Sequence, residues 1–328
     1  MLGSATSGII ARIPCHPLDT MKAKLQVQQA TINKGATKAL NEISNIDPNI
    51  NSKIIKHIRD NFGSFGKFIG GNGEILSKND IYLRNTIHAL KVTLKREGIY
   101  GLYRGGTITF IGSCPGSFLF FTTFEYFRRI LSNNVISNNG LSDFIAGFLA
   151  ETFSCVLWVP IDIIKERMQV QSMLDINYRY NGTINAIYKM IYNEGYLSIF
   201  RAYGATILSF GPFSAIYLSL HERFKRVILN NSSNIDCINS IPMYYIGISA
   251  GISSSIGAFI TNPLDIVKVR MQVQRSGAFN FGYKNLFHGI YTLIKSENIS
   301  SIFHGAGARV AFQLPNVVIN LVLYEYCT

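Results

Sequence analysis

The sequence predicts an all-α membrane protein of six transmembrane helices in three pseudo-threefold repeats, with short amphipathic helices on one side of the bundle. Three observations carry this. Of 328 residues, 48% are hydrophobic and only 15% charged, where a soluble chain of this size carries nearer a quarter charged. The same spaced motif recurs three times. Each recurrence closes an apolar stretch long enough to cross about 30 Å of hydrocarbon at about 1.5 Å per residue. The balance is also basic, with 31 Lys+Arg against 19 Asp+Glu, a formal +12. An apolar, basic chain excludes an acidic disordered protein and argues against an ordinary cytosolic enzyme; it fits a membrane protein facing anionic lipid or anionic solutes. Nucleic-acid binding is not expected, because the bases fall between apolar segments instead of clustering on one domain.

The first block reads Pro17, Asp19, Lys22, Lys24, Gln26; the second Pro160, Asp162, Lys165, Arg167, Gln169; the third Pro263, Asp265, Lys268, Arg270, Gln272. A second block follows each: Glu97–Gly98 with Tyr103, Arg104 and Gly105; Glu194–Gly195 with Phe200, Arg201 and Ala202; Glu297–Asn298 with Phe303, His304 and Gly305. The register continues through Pro115, Pro212 and Pro315 to Glu125, Glu222 and Glu325. Repeats of this length define the architecture before any single element is assigned. They divide the chain into 1–131, 132–229 and 230–328, one functional transmembrane domain in all. Pro17 to Glu97 spans 80 residues, against 34 for Pro160 to Glu194 and for Pro263 to Glu297. The excess in the first repeat is an Asn-, Lys-, Gly- and Ser-rich insertion at about 30–78, expected to be a flexible loop.

The six spans are expected at 2–28, 105–131, 141–171, 203–229, 242–274 and 306–327. Amphipathic stretches at Thr183–Tyr192 and Leu286–Ile294 are suited to an interface. No cleavable signal pattern opens the chain, and with 16 residues before Pro17 both ends read as clipped. The segments joining the two helices of each repeat hold 24 of the 31 Lys and Arg. By the positive-inside rule that is the inner, matrix-like side, with both termini opposite. Cys15, Cys114, Cys155, Cys237 and Cys327 form no Cys-x-x-Cys pattern, and the histidines show no metal-ligand spacing; neither a disulfide framework, a metal site nor a cofactor is expected.

A proline inside a membrane helix frees a carbonyl and bends the helix. Bends at Pro17, Pro160 and Pro263 would draw three helix ends together. Asp19 can then meet Lys165, Asp162 meet Lys268, and Asp265 meet Lys22, since intramembrane charges are costly unless paired. Gln26, Gln169 and Gln272 lie one turn further as braces. Three static packing bridges are the plainer alternative, but equal placement in three repeats suits a gate better. On the opposite side Glu125 with Arg128, Glu222 with Lys225, and Glu325 could form a second ring, weakened because its third base would fall at Thr328. Two rings that cannot both close without trapping the solute are what alternating access requires.

These residues resemble the mitochondrial carrier family: the Pro-x-Asp-x-x-Lys-x-base motif and the Glu-Gly-aromatic-base-Gly block, three times over. The resemblance implies a monomeric six-helix carrier of the inner mitochondrial membrane, moving a small solute and contacting anionic, cardiolipin-like lipid. It places substrate contacts at Gly112 and Ser113, Ser209 and Phe210, and Phe312 and Gln313. None is charged, and the Arg-Arg-Arg-Met-Met-Met run of the ADP/ATP carrier is absent. Charges elsewhere in the spans add Arg12, Glu151 and Arg309 as candidate contacts. Glu151 with Arg12 across the cavity would suit a solute bearing both charges, or the two would form a packing bridge. Arg309 matches a base common in the family, which favours a general cavity or packing role. Gly112 to Pro115, Phe120 to Tyr126 and Glu151 with Val159–Pro160 look similar to S-adenosylmethionine carriers; Ala308 to Pro315 and Arg201 to Tyr203 look similar to mitoferrins, the iron carriers. Arg12 opposes a metal cation. A non-transporting adaptor on the same fold is disfavoured by the intact Asp–Lys pairs, and catalysis by the lack of a nucleophile–base pair or phosphate loop.

Overall fold

A computed structural model describes residues 11–28, 68–69, 75–76, 83, 85–134, 139–173, 180–231, 242–275, 281–296, 302–303 and 305–327. The chain forms a ring of helices. The first, α1, covers 11–28. Then come α2 (Thr86–Leu102), α3 (Gly106–Asn134), α4 (Asn139–Val170), α5 (Thr183–Glu194), α6 (Tyr203–Asn231), α7 (Met243–Ile260), α8 (Asn262–Val273), α9 (Leu286–Ser296) and α10 (Ala306–Cys327). Each long helix packs on the next: α3 on α4, α4 on α6, α6 on α7, α7 on α10. The ring closes where Met21 and Leu25 of α1 share a buried cluster with Ala308 of α10. Nearly all of the 30–78 insertion lies outside the described residues. Within it Phe68–Ile69 pairs antiparallel with Ile75–Leu76.

The bundle differs from six uniform apolar spans in two respects. Among the described residues, three stretches are long and apolar enough to cross a membrane by composition: Gly106–Leu131, Ile145–Val170 and Met243–Ile260. The others carry ionic side chains that the bundle itself pairs, such as Asp19 and Lys22 in α1, so composition alone understates them. The expected 242–274 span also breaks at Thr261, with Pro263 in the first turn of α8. There a missing N–H costs nothing, because the first helical N–H groups have no partner anyway. Pro160, by contrast, lies inside the continuous helix α4.

The principal core sits at the motif end of the bundle. Ile163 and Met168 of α4 and Ile266, Val267 and Met271 of α8 bury against Ala186 and Met190 of α5 and Leu293 of α9. The amphipathic helices thus brace the ends of the spans while their outer faces stay open: Ile184, Tyr188 and Tyr192 on α5 are exposed, as are Phe287 and Tyr291 on α9. The turn entering each even-numbered span depends on its block's closing residue. Gly105 has φ 76° and Gly305 φ 83°, a region that disfavours any side chain. An added Cβ at Gly105 would also lie 3.0 Å from the Lys165 carbonyl oxygen. No non-glycine residue among those described has positive φ, so the second repeat makes this turn differently and tolerates Ala202. Gly105→Ala is expected to destabilise the detergent-purified protein by about 1–2 kcal/mol, read as a lowered thermal-unfolding midpoint, with Ala202→Gly far milder.

Candidate functional site

Three ion pairs join α1, α4 and α8 in a ring just below the motif prolines. Lys165 Nζ lies 3.1 Å from Asp19, Lys22 Nζ 2.8 Å from Asp265, and Lys268 Nζ 3.3 Å from Asp162. Each pair crosses from one repeat to another. Two glutamines reach this ring. Gln26 Nε2 donates to Asp265 at 2.8 Å; Gln169 Nε2 donates to Asp19 at 3.4 Å and to the Thr20 hydroxyl at 3.2 Å. Gln272 does not: its side-chain amide is buried with no hydrogen-bond partner among the described residues.

The ring is therefore uneven. The Asp162 and Lys268 side chains are 22% and 19% exposed, and no glutamine braces them. The Asp19–Lys165 pair is 7% and 11% exposed and braced. Coulomb attraction grows as water is excluded, so Asp162→Asn is expected to cost about 1–2 kcal/mol of stability and Asp19→Asn about 3 or more, measured by thermal unfolding of the two variants side by side.

Two further charges belong to this cluster. Glu166 is buried with one carboxylate oxygen 3.2 Å from Lys165. Lys165 therefore meets three carboxylates, the third being Asp162 at 3.6 Å. Sequence reasoning passed over Glu166; its one signal was a carboxylate wedged between the two bases of the second motif. Arg309 Nε lies 3.4 Å from Asp265 and its Nη1 donates to the Ala258 carbonyl at 2.9 Å. That places Arg309 in the ring more than in an open cavity.

The second base of each motif does something else. Arg167 is fully buried and grips both Glu194 oxygens at 2.6 and 3.1 Å. It also donates to the carbonyls of Gln272 and Gln274 at 3.0 and 2.8 Å. Arg201 reaches the same Glu194 at 3.5 Å. In the first repeat Lys24 pairs with Glu97, which Arg104 also holds at 2.8 Å. In the third, Arg270 donates to the Gln26 carbonyl at 3.0 Å and to the Tyr283 hydroxyl at 3.2 Å; Glu297 lies outside the described residues. In the first two repeats, then, the glutamate of the second block clamps the second base of the first, so that the two blocks form one clamp. The recurrence was visible in the sequence, but the pairing was not.

At the opposite end the described carboxylates stay within their own helices. Glu125 lies 3.9 Å from Arg129 and Glu222 3.3 Å from Lys225; Arg128 sits over the Phe124 ring at 6.0 Å. The Glu325 side chain lies outside the described residues. Among the described residues His221 pairs with no carboxylate; its Nδ1 meets the Ser249 hydroxyl at 3.1 Å. The inner ring is closed, while among the described residues Glu125 and Glu222 meet only bases of their own helices.

Between the two ends, of the two alternatives for Arg12 and Glu151, the packing bridge is not formed. Arg12 donates to Ser113 Oγ at 3.1 Å and lies 4.5 Å from the Trp158 ring centroid. Glu151 instead accepts from the Cys155 thiol at 3.6 Å. Arg12 stands on α1 and Glu151 more than two helical turns above the ring on α4, so α3 and Trp158 reach the guanidinium first. Ser113 is buried, with its hydroxyl on the Thr109 carbonyl, and Gly112 packs against Ile161. Ser209 donates to the Thr206 carbonyl at 3.0 Å, while Phe210, Phe312 and Gln313 are partly buried.

The mitochondrial carrier protein family pattern matches residues 72–135, 137–232 and 239–328, three times in succession. The chain is 28% identical over 333 residues to mitochondrial substrate carrier family protein E of Dictyostelium discoideum, covering 99% of this chain and 93% of that protein. It is 24% identical over 332 residues to a mitochondrial glutathione transporter of Xenopus tropicalis, covering 99% and 89%. It is 27% identical over 243 residues to a mitochondrial adenyl nucleotide antiporter of Xenopus laevis, covering 74% and 50%. A threefold pattern, a ring of helices and a motif-end ring of ion pairs converge on one conclusion: the chain belongs to the mitochondrial carrier family, multi-pass transport proteins of the inner mitochondrial membrane.

Proposed function

We propose that this protein carries a small organic solute across the inner mitochondrial membrane by alternating access, and that Asp19–Lys165, Asp162–Lys268 and Asp265–Lys22 form its matrix-side gate. The observation that supports this reading is the closed inner ring, set against Glu125 and Glu222, which meet bases of their own helices at the other end of the bundle. Two gates in opposite states are one half of a transport cycle. Gln26 and Gln169 act as braces, with Gln272 free to engage Asp162 in another state. Pro17, Pro160 and Pro263 bend the helices at the ring, and Glu125, Arg128, Glu222, Lys225 and Glu325 close the outer side when the inner ring opens. The carrier unit is the three repeats 1–131, 132–229 and 230–328 acting together as a monomer in contact with anionic, cardiolipin-like lipid, with both termini toward the intermembrane space. It transports and does not catalyse.

For the solute, a metabolite carrying both charges, such as S-adenosylmethionine, fits best. Arg12 offers a cation and Glu151 a separate carboxylate, and the two do not neutralise each other. Gly112, Ser113, Ser209, Phe210, Phe312 and Gln313 supply the uncharged contacts. The glutathione named for one relative is also a solute of mixed charge. The test is uptake into proteoliposomes preloaded with the same solute, across S-adenosylmethionine, glutathione, adenine nucleotides and ferrous iron. Saturable exchange of a mixed-charge solute, lost in Glu151→Gln, is the expected result. Uptake of iron alone would move the assignment to a mitoferrin-like carrier, and uptake unchanged in Lys165→Ala would overturn the gate.

A further inference from the structure

The cations around the inner ring are not equivalent. Lys22, Lys165, Lys268 and Arg309 each hold a carboxylate within 4 Å. Arg12 holds none among the described residues. The two acidic groups whose field it feels, Asp162 and Asp19, are already taken by Lys268 and Lys165. An intramembrane guanidinium without a counter-ion awaits one.

Its surroundings fix its orientation. One N–H edge is tied to Ser113 Oγ at 3.1 Å, and Ser113 is itself anchored to the Thr109 carbonyl. One face lies over the Trp158 indole, 4.5 Å from the ring centroid. The indole is in turn held against α3 at Gly116, where an added Cβ would come within 2.8 Å of Trp158 Cε2. Only glycine leaves room for the ring there. A guanidinium stacked on one face and tied at one edge keeps its remaining N–H donors in a fixed plane, the geometry that binds an oxyanion through two parallel hydrogen bonds. Ordering the side chain in advance also removes an entropic cost of binding.

Resting on the solute-carrier reading above, we propose that Trp158 is a positioning residue that presents Arg12 to an oxyanion group of the solute, a carboxylate or a phosphate. Trp158 lies two residues before Pro160 on the helix that also carries Asp162 and Lys165, so the same ring joins the solute's seat to the gate proposed above.

Trp158 is the single tryptophan of the chain, so its emission reports on this seat directly. Full-length protein in mild detergent is titrated with aspartate, glutathione and ADP, with choline as a cationic control. A saturable change in emission with at least one oxyanion, none with choline, and its loss in Arg12→Gln is the expected result. Aspartate and glutathione without ADP would assign a carboxylate, and ADP alone a phosphate. In proteoliposomes, Trp158→Ala is expected to raise the KM for the transported solute about tenfold, a cation–π contact between the exposed and the fully desolvated range. Vmax should stay within about twofold, and Trp158→Phe, which keeps an aromatic face, should recover most of the loss. An emission change that persists in Arg12→Gln would overturn the proposal. So would a fall in Vmax at constant KM in both Trp158 variants, the mark of a packing role. If wild-type protein exchanges solute yet its emission stays silent, the proposal fails and the carrier reading stands; if it exchanges no solute at all, the carrier reading fails.

Discussion

Lys165→Ala is expected to abolish solute exchange and to lower stability by about 3–5 kcal/mol, the cost of leaving a buried carboxylate without its cation. No other lysine of the ring has as much to lose. Its ammonium touches Asp19, Glu166 and Asp162 at 3.1, 3.2 and 3.6 Å, and removing it leaves three carboxylates crowded together in a low-dielectric setting. Thermal unfolding in detergent separates the stability effect from the transport effect. Glu166→Gln in the Lys165→Ala background should recover part of the lost stability, because it removes one of the stranded charges. Recovery of exchange is expected only from the reciprocal pair Asp19→Lys with Lys165→Asp, which restores the inter-repeat bridge. Exchange at wild-type rates in Lys165→Ala would show that the ring packs helices and does not gate.

Arg167→Ala should be the other severe substitution, costing about 3–5 kcal/mol with no direct contact to the solute path. The side chain is fully buried and ties α4 to two other pieces of chain: the end of α5 through both Glu194 oxygens, and the end of α8 through the carbonyls of Gln272 and Gln274. Arg167→Lys cannot make the bidentate contact and reach two carbonyls at once, so it should recover less than half of the loss. Arg201, partly exposed and 3.5 Å from the same glutamate, provides the internal contrast: Arg201→Ala is expected to cost about 1 kcal/mol or less. Thermal midpoints of the three variants would rank them, and an Arg167→Ala protein as stable as Arg201→Ala would refute the clamp.

The repeat explains how much could be read without coordinates. Helix positions, the long first insertion and the recurrence of Pro, Asp, base and Gln at equal offsets are one-dimensional facts, written in spacing and apolar periodicity. The amphipathic stretches at Thr183–Tyr192 and Leu286–Ile294 extend in the structure to Glu194 and Ser296; Glu194 is held there by Arg167 and Arg201, partners that spacing does not reveal. The break at Thr261, where α4 continues through Pro160, also escaped sequence reasoning: both segments carry the same motif, and only packing decides which proline stays inside a helix and which starts a new one.

Side-chain partnership was the least legible. Arg12 and Glu151 were natural partners by charge, yet Trp158 and Ser113 hold the first and Cys155 meets the second. Gln272 matches Gln26 and Gln169 in sequence and still makes no brace. Threefold repetition in the sequence cannot specify the small differences in helix approach that decide whether an amide reaches a carboxylate. The chain by itself determined its membrane-crossing class, its three repeats and the candidate ring, because those depend on composition and spacing, which are local. Which charges are buried, which pairs are braced and which guanidinium meets no carboxylate among the described residues was decided only by tertiary structure, because the strength of a charge pair depends on distances and water exclusion between segments a hundred residues apart.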